Sequence, residues 1–339
     1  MTTLIRHPAS VWWAAAALLV AIVVISFAVG KYPVPPGDLL RALAGRLAGT
    51  DSGLPQAVET VVWNIRLPRI AAGILVGAVL AAAGAAYQGM FRNPLVSPDI
   101  LGVSTGAGLG ASLGIFLSLP MAVVQGMAFI GGLAAVGIVY QVASRVRRHD
   151  PVLVLVLAGV AVSALLGAGI SLIKILSDPY AQLSSITFWL LGGLNAVTSS
   201  ELAATAPAML AGLVPMALLR WRMNLLSLAD EEASALGIDV ARLRLILVTA
   251  ATLSTAATVS LAGIVGWIGL VVPHVARLLV GPDFSRLLPA SLMLGAGFLV
   301  ATDTLARTIV SMELPLGILT ALVGAPFFLF LLARGGKTA

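Results

Sequence analysis

Two long apolar runs separated by a short polar elbow occupy residues 66–114, and they restrict the possible folds more than any other feature of the chain. The first run ends near Met90, the second begins near Ile100, and the residues between them read FRNPLVSPD. An α-helix needs about 20 apolar residues to cross a bilayer. Proline interrupts a helix because it lacks a backbone N–H and disfavours helix in the residue before it. The pattern predicts two membrane-spanning helices joined by a tight turn at one membrane face.

Composition extends this prediction to the whole chain. Hydrophobic residues make up 59% of the 339 residues and charged residues only 10%, whereas soluble domains carry about 25% charged residues. The apolar runs are uninterrupted, unlike the alternating segments of a transmembrane β-barrel. We therefore predict an all-α, multi-pass membrane protein in contact with lipid, with one transmembrane domain over residues 1–339. The chain has no cysteine, which excludes disulfides, thiolate metal sites and cysteine catalysis.

Charge distribution predicts the orientation of the helices. We expect about ten spans, at residues 11–30, 68–90, 100–118, 121–143, 152–176, 202–220, 243–262, 264–280, 287–311 and 314–333. Most of the 20 basic residues then fall on the side of the N-terminus. Because cytoplasmic loops are enriched in Lys and Arg, both termini are predicted inside. The excess of basic residues in cytoplasmic loops then explains the net charge of +6, and we do not expect nucleic acid as a partner.

Two segments outside the spans carry structural predictions. The outer loop 31–65 contains a short surface helix, for which Asp38 is the expected N-cap. The apolar piece Ile186–Leu194 is too short to cross the membrane. It is interpreted either as a short helix, which lies at the outer surface or dips inward, or as a plain loop.

A few charged residues lie at or within the outer ends of spans. Arg66 and Arg69 are placed either to anchor lipid phosphates or to dock an acidic partner, because a guanidinium pairs bidentately with anions. Asp303 and Arg307 are four residues apart and are expected to pair along one helix face. Ionisable residues inside membranes are functional candidates by default. Asp303 is the candidate titratable site for an ion-coupled carrier, and its expected partner argues against that function.

Small residues recur in the third span. Gly102, Gly106, Gly110 and Gly114 are spaced at four residues and are expected to share one face. Small residues let neighbouring helix backbones approach closely. The sequence predicts helix packing at these glycines. A nucleotide-binding role is excluded because no strand precedes them.

The predicted cytosolic side contains two polar segments. In the elbow, Asn93 and Leu95 lie at the mouth of two packed spans, where they form either a simple turn or a gate. The segment 224–240 is expected to form a short helix over residues 227–236, with acidic residues near its start and Gly237 as its stop. That helix is either a solvated loop helix or an insert into a cytosolic motor subunit.

No nucleotide-binding motif is recognisable in the chain. The tail GGKT at residues 335–338 looks like the end of a phosphate-binding loop, but that motif needs glycine at position 331, which is Leu331. We therefore expect no ATPase site, no bound cofactor and no enzymatic activity in this chain.

Several motifs together resemble the ABC importer permeases for iron-siderophores, haem and cobalamin. They are RLPR at 66–69, YQGMFRNPLVSPDILGVSTGAGLGA at 87–111, LADEEASALGI at 228–238, GIVGWIGLVVPHVARLLVG at 263–281, ATDTLAR at 301–307 and ELPLGILTALVGAPFFLFLL at 313–332. The segment at 228–238 is similar to the E-A-A-x-x-x-G loop of importer permeases, although Glu232 replaces the first alanine. The resemblance extends over nearly the whole chain.

The resemblance implies a ten-helix permease domain of a type II importer in the cytoplasmic (inner) membrane. It implies a homodimer, two cytosolic ATPase subunits that bind ATP and Mg, and a periplasmic or lipid-anchored substrate-binding protein. Docking to that protein is implied for Arg66, Arg69 and Arg307, and a cytosolic gate for Asn93 and Leu95. The implied coupling helix comprises Leu228, Asp230, Glu231, Glu232, Ala233, Leu236 and Gly237.

The cargo stays open at this point. Ferric siderophore is the first candidate because it is the commonest cargo of the family, and haem, cobalamin and molybdate are the alternatives. A function of another class, an ion-coupled secondary carrier, would need neither an ATPase nor a binding protein.

Overall fold

A computed structural model describes residues 8–146, 151–310 and 312–335, and this part of the chain folds into helices joined by short turns, with no strand. The α-helices are α1 (Pro8–Ala28), α2 (Pro36–Ala48), α3 (Gln56–Glu59), α4 (Leu67–Met90), α5 (Val103–Phe116), α6 (Met121–Arg145), α7 (Pro151–Leu176), α8 (Gln182–Leu191), α9 (Ser199–Leu218), α10 (Asp230–Ala235), α11 (Val240–Ala262), α12 (Ile268–Val280), α13 (Phe284–Ala306) and α14 (Leu316–Gly335). The predicted all-α membrane fold is confirmed.

The predicted spans correspond to helices along the whole described chain. Within the described residues, seven helices are long and apolar enough to cross a membrane, and four shorter apolar helices accompany them. Four basic residues used to predict the orientation, Arg6, Arg147, Arg148 and Lys337, lie outside the described residues, as do residues 336–338 of the tail.

The second span begins earlier than predicted. Helix α3, a π-helical stretch over Thr60–Arg66 and α4 form one continuous helix of 35 residues from Gln56 to Met90. The predicted outer loop 31–65 therefore ends at Pro55, which is the N-cap of α3. The wider π turn comes directly before Pro68, whose ring would clash with the carbonyl four residues earlier in a regular α-helix.

The surface helix of the outer loop is present, but its start differs from the prediction. Helix α2 is capped by Pro35, with Pro36 at its first position. Proline favours that position because its φ angle is already helical. Asp38 lies in the first turn, where it pairs with Arg41 at 2.5 Å, so its predicted role as N-cap is wrong.

The short apolar segment near residue 190 is a helix, the first of its two interpretations. Helix α8 ends at Gly192, whose φ of 70° is a left-handed conformation that suits glycine. The carbonyl of Gly192 accepts a hydrogen bond from the backbone N–H of Leu316, and Gly193 N–H donates to the carbonyl of Ala262. The end of α8 is thereby fixed to the start of α14 and the end of α11.

Helix α4 lies at the centre of the bundle, packed against α9, α11, α12 and α13. Two glycines allow this packing. A Cβ atom at Gly77 would lie 2.2 Å from the carbonyl oxygen of Gly295, and one at Gly84 would lie 1.9 Å from that of Gly269. The backbones touch at these points because neither residue carries a side chain. Helices α4 and α13 run antiparallel, which places Arg69 and Asp303 at one end of the bundle.

Candidate functional site

Two charged clusters lie at opposite ends of α4. We call the end that contains Arg66, Arg69 and Arg307 the arginine end, and the end that contains Arg92 and α10 the elbow end. The 24 residues of α4 separate them, about 36 Å at 1.5 Å per residue.

At the arginine end, Arg69 forms a buried ion pair with Asp303. Its Nε donates to both carboxylate oxygens at 3.0 and 2.9 Å, and its Nη2 donates to Oδ1 at 2.9 Å. A further hydrogen bond of 3.2 Å runs from Nη1 to Oε1 of Glu313. Arg69 is 8% exposed and Asp303 is 1% exposed. One guanidinium therefore joins α4, α13 and the segment before α14.

The predicted pairing of Asp303 with Arg307 is not the main one. The Nε atom of Arg307 lies 3.9 Å from Asp303 Oδ2, and its Nη2 donates instead to the backbone carbonyl and the hydroxyl of Ser26. Arg69 approaches from another helix with its planar fork facing the carboxylate, which is the geometry that favours bidentate pairing. Arg307 is the C-cap of α13 and turns toward α1.

Arg66 also contacts the end of α1. It donates hydrogen bonds to the carbonyls of Phe27 and Tyr32. A Cβ atom at Gly30 would lie 2.7 Å from Arg66 Nη2 and 2.9 Å from Arg307 Nη1, so this glycine leaves room for both guanidiniums. The last carbonyls of a helix lack intrahelical partners and favour a nearby cation. Both arginines satisfy that requirement.

The three arginines for which docking was predicted thus bind groups of their own chain in this structure. Arg66, Arg69 and Arg307 are 4%, 8% and 6% exposed, and each donates hydrogen bonds to groups of the same chain. No contact here tests whether a partner's acid reaches them, and docking stays a prediction.

At the elbow end, Asn93 and Leu95 form a local turn. The side-chain oxygen of Asn93 accepts a hydrogen bond of 2.9 Å from the backbone N–H of Leu95, a common way for asparagine to stabilise a turn. Leu95 is 43% exposed. The simple turn is present, and the gate at these two residues stays a prediction.

The short helix that was predicted for the cytosolic side is present but smaller than predicted. Helix α10 begins at Asp230 because Leu228 and Ala229 are extended, and residues 222–227 form a separate 3-10 helix. Gly237 follows α10 with a φ of 82° and donates its N–H to the carbonyl of Ser234, so the predicted stop is observed. Ala233 is its buried residue. Glu232 accepts a hydrogen bond of 3.4 Å from the N–H of Ala229.

An ion network that joins the elbow to α10 could not be predicted from the sequence. Arg92 Nη2 lies 2.6 Å from Asp230 Oδ1, and Arg92 Nε donates to the carbonyl of Leu226 at 2.9 Å. Arg244 of α11 contacts the same carboxylate at 3.3 Å. Arg92 and Asp230 are 138 positions apart in the chain, so no local signal could have identified this pair.

Three of the four glycines of the third span lie against α6. A Cβ atom at Gly106 would lie 2.4 Å from the carbonyl oxygen of Gly131, one at Gly110 would lie 2.1 Å from that of Met127, and one at Gly114 would lie 3.1 Å from the Val124 side chain. Gly102 differs, because it is the N-cap of α5 with a φ of 82°. The prediction that all four share one helix face is wrong for Gly102, since the helix begins after it.

A second contact that sequence reasoning missed supports α12. Gln88 Nε2 donates to the carbonyls of Gly269 and Leu270 at 3.3 and 3.1 Å. Pro273 lies inside α12 and lacks the N–H that would bond the carbonyl of Gly269. The glutamine satisfies a backbone group that proline leaves without a partner.

The loop before α13 contains a carboxylate with a lowered pKa. Asn224 Nδ2 donates a hydrogen bond of 2.8 Å to Asp283, and this hydrogen bond is the main cause that lowers the pKa of Asp283 below its ordinary value. Asn224 also accepts from the N–H of Phe284 at 2.8 Å. These contacts fix the start of α13 to the segment before α10.

The described residues contain no group of three or more His, Cys, Asp or Glu placed to hold a metal ion. The site therefore consists of two charged clusters, one at each end of a helical bundle. Their ion pairs and hydrogen bonds hold separate segments of the bundle together.

Comparison with known proteins adds to this geometry. Over 283 residues the chain is 42% identical to the cobalamin import system permease protein BtuC of Halobacterium salinarum, covering 83% of this chain and 75% of that protein. It is 35% identical over 323 residues to the molybdate import system permease protein MolB of Haemophilus influenzae, covering 94% and 95%. A solved structure described as an inward-facing conformation of a metal-chelate type ABC transporter matches with a TM-score of 0.83 and 33% identity, covering 96% and 99%. Residues 18–334 match the FecCD transport family, and the chain belongs to that family.

Proposed function

We propose that this chain is the permease subunit of an ATP-driven importer that moves a metal chelate from the periplasm into the cytoplasm. The observation that carries the proposal is the structural match to a metal-chelate type ABC transporter over nearly the full length of both chains. The importer-like motifs at residues 66–69 and 87–111, which lie at the two ends of α4, support it.

The proposal includes partners and a place in the cell. Two copies of the chain form the pathway in the cytoplasmic membrane, two cytosolic ATPase subunits bind ATP and Mg, and a binding protein delivers cargo at the arginine end. A mostly exposed apolar helix supports a second copy. In the most apolar 18-residue window of the Val152–Leu176 helix, only 22% of the residues are buried, and the exposed residues of the helix include Leu157, Val160, Leu165 and Leu172.

The proposed mechanism is alternating access. ATP binding brings the ATPase subunits together, moves α10 and changes the balance between inward-open and outward-open dimers. Each ligand biases that balance only by the difference between its affinities for the two states. The elbow lies next to α10, which places the proposed gate within reach of the proposed motor contact.

Ferric siderophore is the proposed cargo, with haem, cobalamin and molybdate as alternatives. The two relatives above are named for cobalamin and for molybdate. Similar permeases thus differ in cargo, and we assign the choice of cargo mainly to the binding protein.

The rival function is an ion-coupled carrier. Its candidate titratable group, Asp303, is 1% exposed and accepts three hydrogen bonds from Arg69. A carrier that used this carboxylate would have to break a buried bidentate ion pair in each cycle, which is strongly unfavourable. The geometry therefore favours an ATP-driven importer.

Uptake by spheroplasts supplied with the released periplasmic fraction tests the proposal, because removing the outer membrane bypasses its energised receptors and the added fraction restores the binding protein. Cells with and without the gene are given labelled ferric siderophores, haem, cobalamin and molybdate, each with an intact and a collapsed proton gradient. We expect the deletion to abolish uptake of one cargo, and the parental uptake to survive gradient collapse while ATP is maintained. Uptake that follows the gradient would support the carrier instead.

A further inference from the structure

Helix α10 is attached to the bundle by few contacts. It has six residues, of which Ala233 is the one whose side chain is buried. A cavity of about 550 Å³ lies beside it, lined by residues of α6, α7 and α11, and a second of about 310 Å³ lies next to the elbow. Asp230 and Arg244 border both cavities. The space around α10 leaves it free to shift against the bundle.

Asp230 is the point at which α10 is joined to two other elements. Its carboxylate accepts from Arg92 of the elbow at 2.6 Å and from Arg244 of α11 at 3.3 Å. Arg92 and Asp230 are 41% and 46% exposed, so water solvates both groups. Solvated ion pairs are weak enough to re-form after a movement, whereas a fully buried pair would resist separation.

Arg92 is placed to pass such a movement to the elbow. Its φ of 48° lies in the left-handed region, which is uncommon for a residue with a side chain. This backbone turn directs the guanidinium toward Asp230 and the carbonyl of Leu226. Asn93 follows directly in the chain, and its side chain holds Leu95. The ion pair therefore lies one residue from the predicted gate.

We propose that Arg92 and Asp230 form a positioning pair that couples movement of α10 to the elbow that carries Asn93 and Leu95. The inference rests on the proposed function, and it names the contact through which the ATPase subunits act on the gate. Arg244 of α11 binds the same carboxylate, so a shift of α10 acts on the elbow and on α11 together.

A labelling experiment on the complete importer tests this coupling. The chain has no native cysteine, so a Leu95→Cys reporter in nanodiscs with the cognate ATPase reacts with a maleimide dye at one position of this subunit. The labelling rate is measured with and without ATP, together with ATP hydrolysis. Arg92→Gln, Asp230→Asn and the double variant are compared. Arg41→Gln, which removes an Arg–Asp pair at the arginine end, is the matched control.

We expect ATP to change the labelling rate by about fivefold or more in the reporter protein and in the control. Each single variant should bring that ratio close to one while ATP hydrolysis continues. The double variant should be no worse than Asp230→Asn alone, because that substitution already removes the contact with Arg92. Arg92→Lys, which keeps the charge but loses the planar fork, should restore part of the response.

A normal ATP response in Arg92→Gln or Asp230→Asn would overturn the inference and leave the proposed function standing. Effects that multiply in the double variant would also overturn it, because the two residues would then act independently. If a variant loses its folded dimer on size-exclusion chromatography, Asp230→Glu, which keeps the charge but moves it, is measured in its place and should reduce the response. No labelling response in a reporter protein that still hydrolyses ATP would also overturn the inference, because the elbow would then not move with the ATPase. A complete importer that neither hydrolyses ATP nor takes up cargo would overturn the proposed function.

Discussion

Arg69 and Asp303 are joined by three hydrogen bonds of 2.9 to 3.0 Å, although 234 residues separate them in the chain. The pair closes the arginine end of the bundle by holding α4 against α13. Because both groups are buried, the loss of either one leaves the other with a single remaining ion contact, Arg69 with Glu313 or Asp303 with Arg307.

Breaking this pair should destabilise the protein. Asp303→Leu leaves the Arg69 guanidinium buried with only Glu313 as an acidic partner, and should lower the free energy of unfolding by about 3–5 kcal/mol. Thermal unfolding in detergent measures the effect. The double variant Arg69→Met/Asp303→Leu should recover part of the loss, because the buried Arg69 guanidinium is then absent, although Glu313 and Arg307 each lose an ion contact. A single variant as stable as the parent would contradict the structural role.

The close contact of α4 with α12 should not tolerate a methyl group. A Cβ at Gly84 would lie 1.9 Å from the carbonyl oxygen of Gly269. Gly84→Ala should therefore cost about 1–3 kcal/mol, since the helices must move apart. Gly137→Ala in α6 is the control, because its Cβ would have no heavy atom within 4 Å. The control should be neutral or slightly stabilising, because alanine favours helix. Equal melting temperatures for the two variants would refute the packing argument.

The end of α10 should be sensitive to proline. Gly237 has a φ of 82° and donates its N–H to Ser234, whereas proline holds φ near −65° and has no N–H. If α10 couples the ATPase to transport, Gly237→Pro should lower cargo uptake per ATP hydrolysed in proteoliposomes by about tenfold or more. Gly53→Pro tests the same substitution at a left-handed glycine in the outer loop, and its ratio should stay near that of the parent. Normal uptake per ATP hydrolysed in Gly237→Pro would contradict the proposed role of α10.

The loop at Asp283 should contribute stability that depends on pH. Its pKa is lowered mainly by the hydrogen bond from Asn224, so the folded state favours the ionised carboxylate. That contribution is present above the ordinary pKa of aspartate and is lost as the pH falls through the lowered pKa. The parent should therefore melt above Asp283→Asn near neutral pH, and the difference should shrink in acid. A difference that is constant between pH 7 and pH 3 would contradict this assignment.

The parts of the fold that could be predicted depend on local chemistry. The apolar runs indicate spans because only helices or closed barrels satisfy their backbone groups in lipid. Pro94 and Pro98 mark the elbow, and Gly237 marks the end of α10. The start of α2 at Pro36 and the helical stretch from Gln56 to Arg66 that leads into α4 were missed, because a proline begins the first and a π turn continues the second into α4. These effects depend on backbone geometry more than on hydropathy.

Charge partners could not be predicted in the same way. Spacing along one helix favoured Arg307 as the partner of Asp303, but Arg69 from a neighbouring helix offers the better geometry. The link between Arg92 and Asp230 likewise has no counterpart in local sequence.

The sequence by itself determined the membrane fold, the elbow and the family, because each is written in contiguous residues whose chemistry acts over a few turns of chain. Tertiary structure alone decided which carboxylate each arginine binds, since ion pairing depends on distance and orientation in space. Residues far apart in sequence, such as Arg69 and Asp303, reach that arrangement only when the helices pack.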